Sequence, residues 1–535
     1  MKKVFLLTGL ATAGIFAMAA EVPEPQVFPD TYLYAISPNG QYGVSQLTSG
    51  LKIYNFVTGQ VDEFFNETVY YSAGIGKCVS NNGIILGSSD DVNAEYFKDG
   101  EWYTLDVPEE ASSTCLSNAI TPDGSRICGS IGVSEISLDG DALMQIPVIW
   151  NATADGYGEA VKLPYPELDF TGRVPQYVTA VDISEDGKKV IGQVVSATGM
   201  LCYPILYTED ADGKWSYELV HPELYTIPGL EFPKYPGEGP EQPQAEEYMT
   251  VEEEAAYNQA LQEYIDSGYT LPYPMATDFL SAEEKEEYEA DMEKYQKEFD
   301  EWNTAFYAWF DAFDRVLAIA PNDEFNSIRI SPDGKTYGYT VSVSDLFDPW
   351  AASTYNVWIF DADSDVITKY NQTGDLNLSY LGNGFALASS SIQAVSNSYV
   401  LKDGICDSML WWMNSQCPAY ASWINDNMRF SYEDIVINEE TGEYELVTID
   451  DALMTGHATG TPDLSHLALS VQNVWDYSTE FDAYLFDVKA GTSGVQSVRP
   501  AVDGEQVIYD LHGRRLNSAS APGIYIINGK KQVVR

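Results

Sequence analysis

One six-residue phrase recurs along this chain, and a turn repeated at a fixed interval makes a string of like structural units. Ala35-Ile36-Ser37-Pro38-Asn39-Gly40 returns as Ala119-Ile120-Thr121-Pro122-Asp123-Gly124, Asp182-Ile183-Ser184-Glu185-Asp186-Gly187 and Arg329-Ile330-Ser331-Pro332-Asp333-Gly334. Looser copies stand at Val79-Ser80-Asn81-Asn82-Gly83, Leu381-Gly382-Asn383-Gly384 and Gly460-Thr461-Pro462-Asp463. Proline presets φ, Asp or Asn bonds its own backbone, and glycine takes a positive φ, so each copy is a tight turn between two strands.

A second element follows most turns: an apolar strand with one aromatic. It reads Lys52-Ile53-Tyr54, Val148-Ile149-Trp150, Ile205-Leu206-Tyr207, Val357-Trp358-Ile359, Met409-Leu410-Trp411-Trp412 and Tyr484-Leu485-Phe486. Strand, turn, strand, loop, aromatic strand, turn, strand is a four-stranded antiparallel sheet. Gly40, Gly83 and Gly124 are spaced 43 and 41 residues apart, the length of one propeller blade. The phrase resembles the Ser-Pro-Asp-Gly repeats of Tol-type bacterial β-propellers. A mainly β fold of about seven blades follows, with six or eight as alternatives.

Residues 21–228 and 323–493 form the two parts of that ring, and residues 229–322 interrupt it. The interruption opens Pro- and Gly-rich, from Phe232 to Pro243. Thr250 with Glu253 and Ser281 with Glu284 are capping boxes for two helices. Along the second, Tyr288, Met292, Tyr295, Phe299, Trp302, Phe306, Trp309 and Phe313 alternate spacings of four and three, a helical stripe. Either this hairpin folds back on its partner helix and the ring, or the stripe is a docking face for another chain.

The ends carry an address. Lys2 and Lys3, the apolar run from Val4 to Phe16 and then Ala17-Met18-Ala19 read as a cleavable signal peptide over residues 1–20. Glu21 arrives too early for a membrane span, and no cysteine marks a lipoprotein site. From Val495 to Arg535 there are six Lys/Arg against three Asp/Glu, in a chain that holds 28 basic and 81 acidic residues in all. That reversal of sign sets residues 494–535 apart as a small β module. Within it, Tyr509-Asp510-Leu511-His512-Gly513-Arg514-Arg515, then Pro522-Gly523-Ile524-Tyr525-Ile526 and Gly529-Lys530-Lys531, resemble the C-terminal sorting domain of the type IX secretion system. The resemblance implies export by a signal peptide, passage across the outer membrane through dedicated machinery, and release or attachment at the cell surface. Family domains are longer; here about forty residues match.

Chemistry is sparse in the text. A net charge of −53 opposes nucleic-acid binding, which needs cationic surface. His221, His457, His466 and His512 form no two-His metal motif, and no nucleophile elbow or phosphate loop is present. Cys115 and Cys128 flank one turn and Cys406 and Cys417 another, so in an exported protein each pair is a disulfide candidate, with buried thiols the alternative. Asp361-Ala362-Asp363-Ser364-Asp365 alternates like the opening of a calcium loop, but Val366 replaces the turn glycine; it and Asp210-Ala211-Asp212-Gly213 read as acidic turns, and no cofactor is expected. Trp411, Trp412, Trp423 and Tyr420 either stack on sugar or fill space between blades. The resulting expectation is an exported, non-catalytic propeller that binds a glycan, peptide or protein. Two alternatives are a hydrolase using paired carboxylates, and an assembly protein docking through the insertion.

Overall fold

The computed structural model describes residues 24–489, apart from 48–49, 66–71, 75, 89–92, 138–139, 170, 197–200, 221–228, 318–324, 344–353, 363, 365, 371–375, 393–394, 438–443 and 473–480, and then 508–510, 515–516, 523–527 and 530–534. The proposed leader, residues 1–20, lies outside the described residues.

Seven antiparallel sheets follow one another, each beginning with the strand that enters a repeat turn. The inner strands are Leu33–Ile36, Ser72–Ala73, Ala111–Ile120, Tyr177–Ile183, Phe325–Ile330, Asn377–Leu381 and His457–Gly460, for blades 1 to 7. Blades pair strands in chain order; blade 3 carries a fifth strand, Val161–Lys162, on Gly140–Thr153. Blade 7 takes its outer strand from the other end of the chain: Gln26–Phe28 pairs with Phe481–Asp487. That exchange joins the last blade to the first and closes the ring. Leu33 N–H donates to Ser470 Oγ at 3.0 Å across the same seam.

The repeat phrase builds one face of the ring. In six of the seven turns a Ser or Thr hydroxyl donates to the Asn or Asp two residues on, as Thr121 to Asp123 and Ser184 to Asp186 at 2.7 Å. The same hydroxyl accepts the backbone N–H that opens the next strand. The sixth turn has Gly382 in that place. Neighbouring turns are then tied to one another: Asn39 N–H to Asn81 Oδ1 (2.8 Å), Asn81 N–H to Pro122 O (2.8 Å), Glu185 N–H to Pro332 O (2.7 Å) and Asp333 N–H to Asn383 Oδ1 (3.0 Å). Between blades 3 and 4, Arg126 clasps Glu209 through both ends of its guanidinium (2.7 and 3.0 Å) and donates to Gly187 O. The result is a belt of hydrogen bonds around the turn face.

Two predictions arise here. Gly40 has φ +70° and a Cβ on it would lie 2.5 Å from the His466 ring of the neighbouring blade, whereas Gly59, at φ +74°, has open space. Gly59→Ala is expected to cost about 1 kcal/mol, the left-handed penalty alone, and Gly40→Ala about 3 kcal/mol because crowding is added. Urea midpoints of the two variants measure the difference. The second concerns acid. Burial opposes ionisation of Asp463, but hydrogen bonds from Ser465 and Thr461, with Lys489, hold its carboxyl down at about 2; Asp123 and Asp186 are lowered in the same way despite partial burial. A carboxyl depressed in the folded state adds stability above its unfolded pKa of about 3.9, and that stability is lost as pH falls towards 2. The urea midpoint is therefore expected to fall between pH 5 and pH 2, and less steeply in Asp463→Asn.

With the turn face so defined, the strand order puts blade-to-blade connections on the opposite face, where both large insertions emerge. The first holds helix α1 (Val251–Asp266) and helix α2 (Ala282–Leu317). The Thr250–Glu253 capping box is formed on both sides, and Ser281 and Glu284 exchange the same pair of bonds at 2.8 and 3.3 Å. The second insertion, between blades 6 and 7, holds α3 (Met409–Gln416), α4 (Pro418–Asn427) and the hairpin Arg429–Ile437 with Tyr444–Leu453. Here the sequence reading of Met409–Trp412 as an aromatic strand is corrected: Ser408 Oγ caps Trp411 N–H and the segment is helical. The strand of blade 6 in that place is Val395–Lys402, with Tyr399 as its aromatic. Met409 and Met413, one helical turn apart, are buried while Trp411 between them is exposed, whereas a strand would have put all three on one face.

Candidate functional site

A contact between blades that are not neighbours has to cross the ring's axis, and blade 2 makes one. Its inner ladder stops after Ser72–Ala73. Gly74 and Gly76 then lean against blade 3, Gly76 N–H donating to Asn118 O at 3.0 Å. A Cβ on Gly76 would stand 2.4 Å from Val181 O in blade 4, so glycine alone permits this path. Lys77 is thereby delivered to the far side. Its Nζ lies 2.6 Å from Asp182 Oδ2 in blade 4 and also donates to the carbonyls of Ile183 and, in blade 5, Ile330.

Asp182 is fully buried and uses both oxygens. Besides Lys77 it accepts the N–H groups of Ile183 (2.9 Å) and Ile330 (3.1 Å). Burial pushes the Lys77 ammonium below its ordinary pKa, and the Asp182 carboxylate pulls the other way. The pair bridges the axis.

Beside it lies Arg329 of blade 5, half-buried. Its guanidinium donates to Ile328 O at 2.9 Å, and among the described residues no carboxylate comes within ion-pair distance. Arg329 is near enough to act on Tyr34 (blade 1), Cys78 and Lys77 (blade 2) and His457 (blade 7). Burial first, and the Arg329 charge second, hold the His457 imidazole down at about 4, so it is neutral near pH 7. Its Nδ1 faces Ser389 Oγ at 3.3 Å, and its ring lies 5.2 Å from that of Tyr32. Burial raises the phenols of Tyr32 and Tyr34, and pushes the Cys78 thiol up to about 12. The axis thus gathers polar groups from blades 1, 2, 5 and 7, with the thiol and phenols held protonated and the imidazole neutral. A cleft of about 270 Å³ between blades 5 and 6 is lined among others by Asp361, Tyr370, Phe385 and Lys402. Tyr370 already accepts Gly404 N–H there.

Sequence reasoning missed this cluster, although the repeat contained the signal. Two residues before the turn Ser or Thr, the seven copies read Ala35, Cys78, Ala119, Asp182, Arg329, Tyr380 and Thr459. Charge at that register occurs in blades 4 and 5 alone. Those are the copies whose strands Lys77 of blade 2 reaches across the axis.

The residues singled out from sequence fall elsewhere. Of the aromatic stripe, Trp309 and Phe313 are buried on the ring, Trp309 donating its indole N–H to Thr171 O at 2.6 Å. Trp302 donates to Gly237 O at 2.8 Å and stacks on Phe306, so the Pro-rich linker covers it. Tyr288 meets Tyr248 edge-on, and Tyr295 and Phe299 are half-buried beside one another. All six cysteines are free thiols, which corrects the disulfide candidates. Cys128 pairs with Ala119 one rung from the turn, while Cys115 lies further along its strand, beyond Leu116 opposite Ser130, so the two do not face each other. Cys406 pairs with Leu401 in an outer strand, while Cys417 joins α3 to α4 with its Sγ 3.4 Å from Met413 Sδ.

Tyr420 and Trp423 pack on Phe486 of blade 7, leaving Trp411 at the surface. His466 covers Gly40. Asp210 Oδ1 is occupied by the N–H groups of Asp212 and Lys214; Asp363 and Asp365 lie outside the described residues. In the C-terminal module, Tyr509 and Asp510 pair with Ile526 and Tyr525, Gly523 with Val534, and Lys530 with Ile527. Leu511, Gly513, Arg514 and Gly529 lie outside the described residues.

No family model matches the chain, and no curated protein does. Among solved structures it is similar to the hydrazine synthase of Kuenenia stuttgartiensis, with 10% identity over 86% of this chain and 96% of that one and a TM-score of 0.39. It is also similar to a putative TolB from Agrobacterium tumefaciens (11% identity, 82% and 96% covered, TM-score 0.30). A third likeness, to the tricorn protease, has 11% identity and a TM-score of 0.34; it covers 76% of this chain and 34% of that one. These likenesses concern ring architecture and bear no weight for activity; the propeller rests on the strand pairing above. No helix among the described residues is long and apolar enough to cross a membrane.

Proposed function

We propose that the chain is an exported binding protein that takes its ligand at the propeller axis and performs no chemistry on it. The carrying observation is how the axial groups are committed. Lys77 is tied to Asp182, Asp182 has three donors on it, His457 is neutral near pH 7 and the Cys78 thiol is held protonated. Groups so engaged recognise rather than transfer protons, whereas catalysis wants a pKa near the working pH. The leader and the sorting-type module would deliver the protein to the outer-membrane surface or the medium, through the export machinery that reads residues 494–535. A glycan and peptide array, probed with the mature chain while hydrolysis products are monitored in the same wells, tests this. Saturable binding without turnover is the expected result; product formation overturns it.

Assembly through the insertion keeps one observation in its favour. Ile265 in the last turn of α1 and Tyr269, Leu271, Tyr273 and Met275 between α1 and α2 are 48% to 67% exposed, an apolar run at the far end from the buried part of α2.

A further inference from the structure

We infer that the axial site is built for a carboxylate: Arg329 would hold the anion, with Tyr34, Tyr32 and His457 around it, and the ligand is a small acid bearing a ring. This deepens the binding reading above and rests on it.

The first ground is the state of Arg329. A guanidinium offers five donors in a fixed fork. Among the described residues Arg329 finds one bond, to the carbonyl of the preceding residue. Acidic residues outnumber basic ones 81 to 28, so an arginine held inside the ring without one is set apart by geometry, since acids are plentiful. The carboxylate that does reach the axis, Asp182, is already taken by Lys77 and two backbone N–H groups. Among the described residues, the axis therefore carries one positive charge without a carboxylate partner.

The second ground is what surrounds it. Among the described residues the hydroxyls of Tyr32 and Tyr34 make no hydrogen bond, and both residues keep partial exposure. Their rings lie 6.5 Å apart, and the Tyr32 ring is flanked by Phe481 at 4.9 Å and His457 at 5.2 Å. Neutral donors beside a single guanidinium suit a monoanion, which the planar fork binds bidentately. A phosphate dianion would bring a second charge with no partner into a chain of net −53. The aromatic walls suit a ring, whether a sugar or a side chain, on the body of the acid.

The test is calorimetric titration of the mature chain with glucuronate, a sugar acid, and with hippurate, which presents a peptide-like terminal carboxylate. Glucose and hippuramide are the uncharged controls. One acid is expected to bind saturably and its uncharged counterpart not; which acid wins identifies the source of the carboxylate. Arg329→Gln is expected to weaken binding at least tenfold, the order of loss when a charged hydrogen-bond partner is removed, and Arg329→Lys to restore part of it. Tyr34→Phe, which removes one hydroxyl and leaves the packing, is expected to weaken binding severalfold at an unchanged thermal midpoint. Failure of both acids to bind overturns the inference, as does binding that Arg329→Gln and Tyr34→Phe leave unchanged. If the array returns neutral ligands whose binding is indifferent to Arg329, the carboxylate falls and the binding function stands.

Discussion

Asp182→Ala is expected to destabilise the ring by about 3–5 kcal/mol, because it strands a buried ammonium and two buried backbone N–H groups at once. The carboxylate is fully buried and binds Lys77 at 2.6 Å, so no water stands ready to replace it. The deficit should depend on pH in a definite direction. Burial lowers the folded-state pKa of Lys77, and the variant loses the carboxylate that opposes this. The unfolded chain then binds more protons than the folded one between the lowered folded-state pKa and the unfolded value of about 10, so stability rises with pH there and the deficit shrinks on approach to about pH 10. The double variant Lys77→Met/Asp182→Asn removes the charge and keeps an acceptor; it should recover more than half the loss. Urea unfolding at pH 7 and pH 9.5 measures all of this. An Asp182→Ala variant within about 1 kcal/mol of the parent would show that the crossing is not what holds blades 2, 4 and 5 together.

Removing residues 24–30 is expected to have an effect of similar size and a different character. Strand Gln26–Phe28 is the outer strand of blade 7, and the Phe28 ring lies 5.2 Å from Tyr54 and 5.4 Å from Phe56 of blade 1. Without it blade 7 loses an outer strand, and Phe481–Asp487 becomes an open edge. Loss of one large aromatic contact alone costs on the order of 3–5 kcal/mol, and an uncovered edge invites pairing with other chains. The truncated protein should melt about 3–5 °C lower and associate as its concentration rises, which light scattering would follow. A monomer melting with the full-length chain would sink the idea that this strand locks the ring.

Much of the ring was legible because its signal repeats. The turn phrase names the blades, since Ser or Thr, Asp or Asn and Gly each do a separate and local job there. The capping boxes at Thr250 and Ser281 were legible for the same reason, as their partners are three residues away. Met409–Trp412 misled because an apolar aromatic run fits strand or helix until its neighbours decide, and Ser408 and the buried Met409 and Met413 decide for helix. The disulfide candidates failed because flanking a turn does not make two residues cross-strand partners: Cys128 pairs with Ala119, and Cys417 stands between two helices where a second strand was expected. The axial cluster was hidden by distance: Lys77 meets Asp182 105 residues on and Ile330 253 residues on. A repeat shows where each blade stands; it does not show which odd residues of separate blades meet at the axis.

The belt of turn-to-turn hydrogen bonds divides the molecule into a conservative side and an inventive one. On the turn face nearly every polar group is answerable to the next blade, so a change at one turn is felt by its neighbours around the circle. On the opposite face the connections answer to no such belt, and there the ring has accepted two helices between blades 4 and 5 and two more with a hairpin between blades 6 and 7. Relatives of this chain should therefore share their turns and differ in what they carry above them, much as one chassis is sold with many bodies.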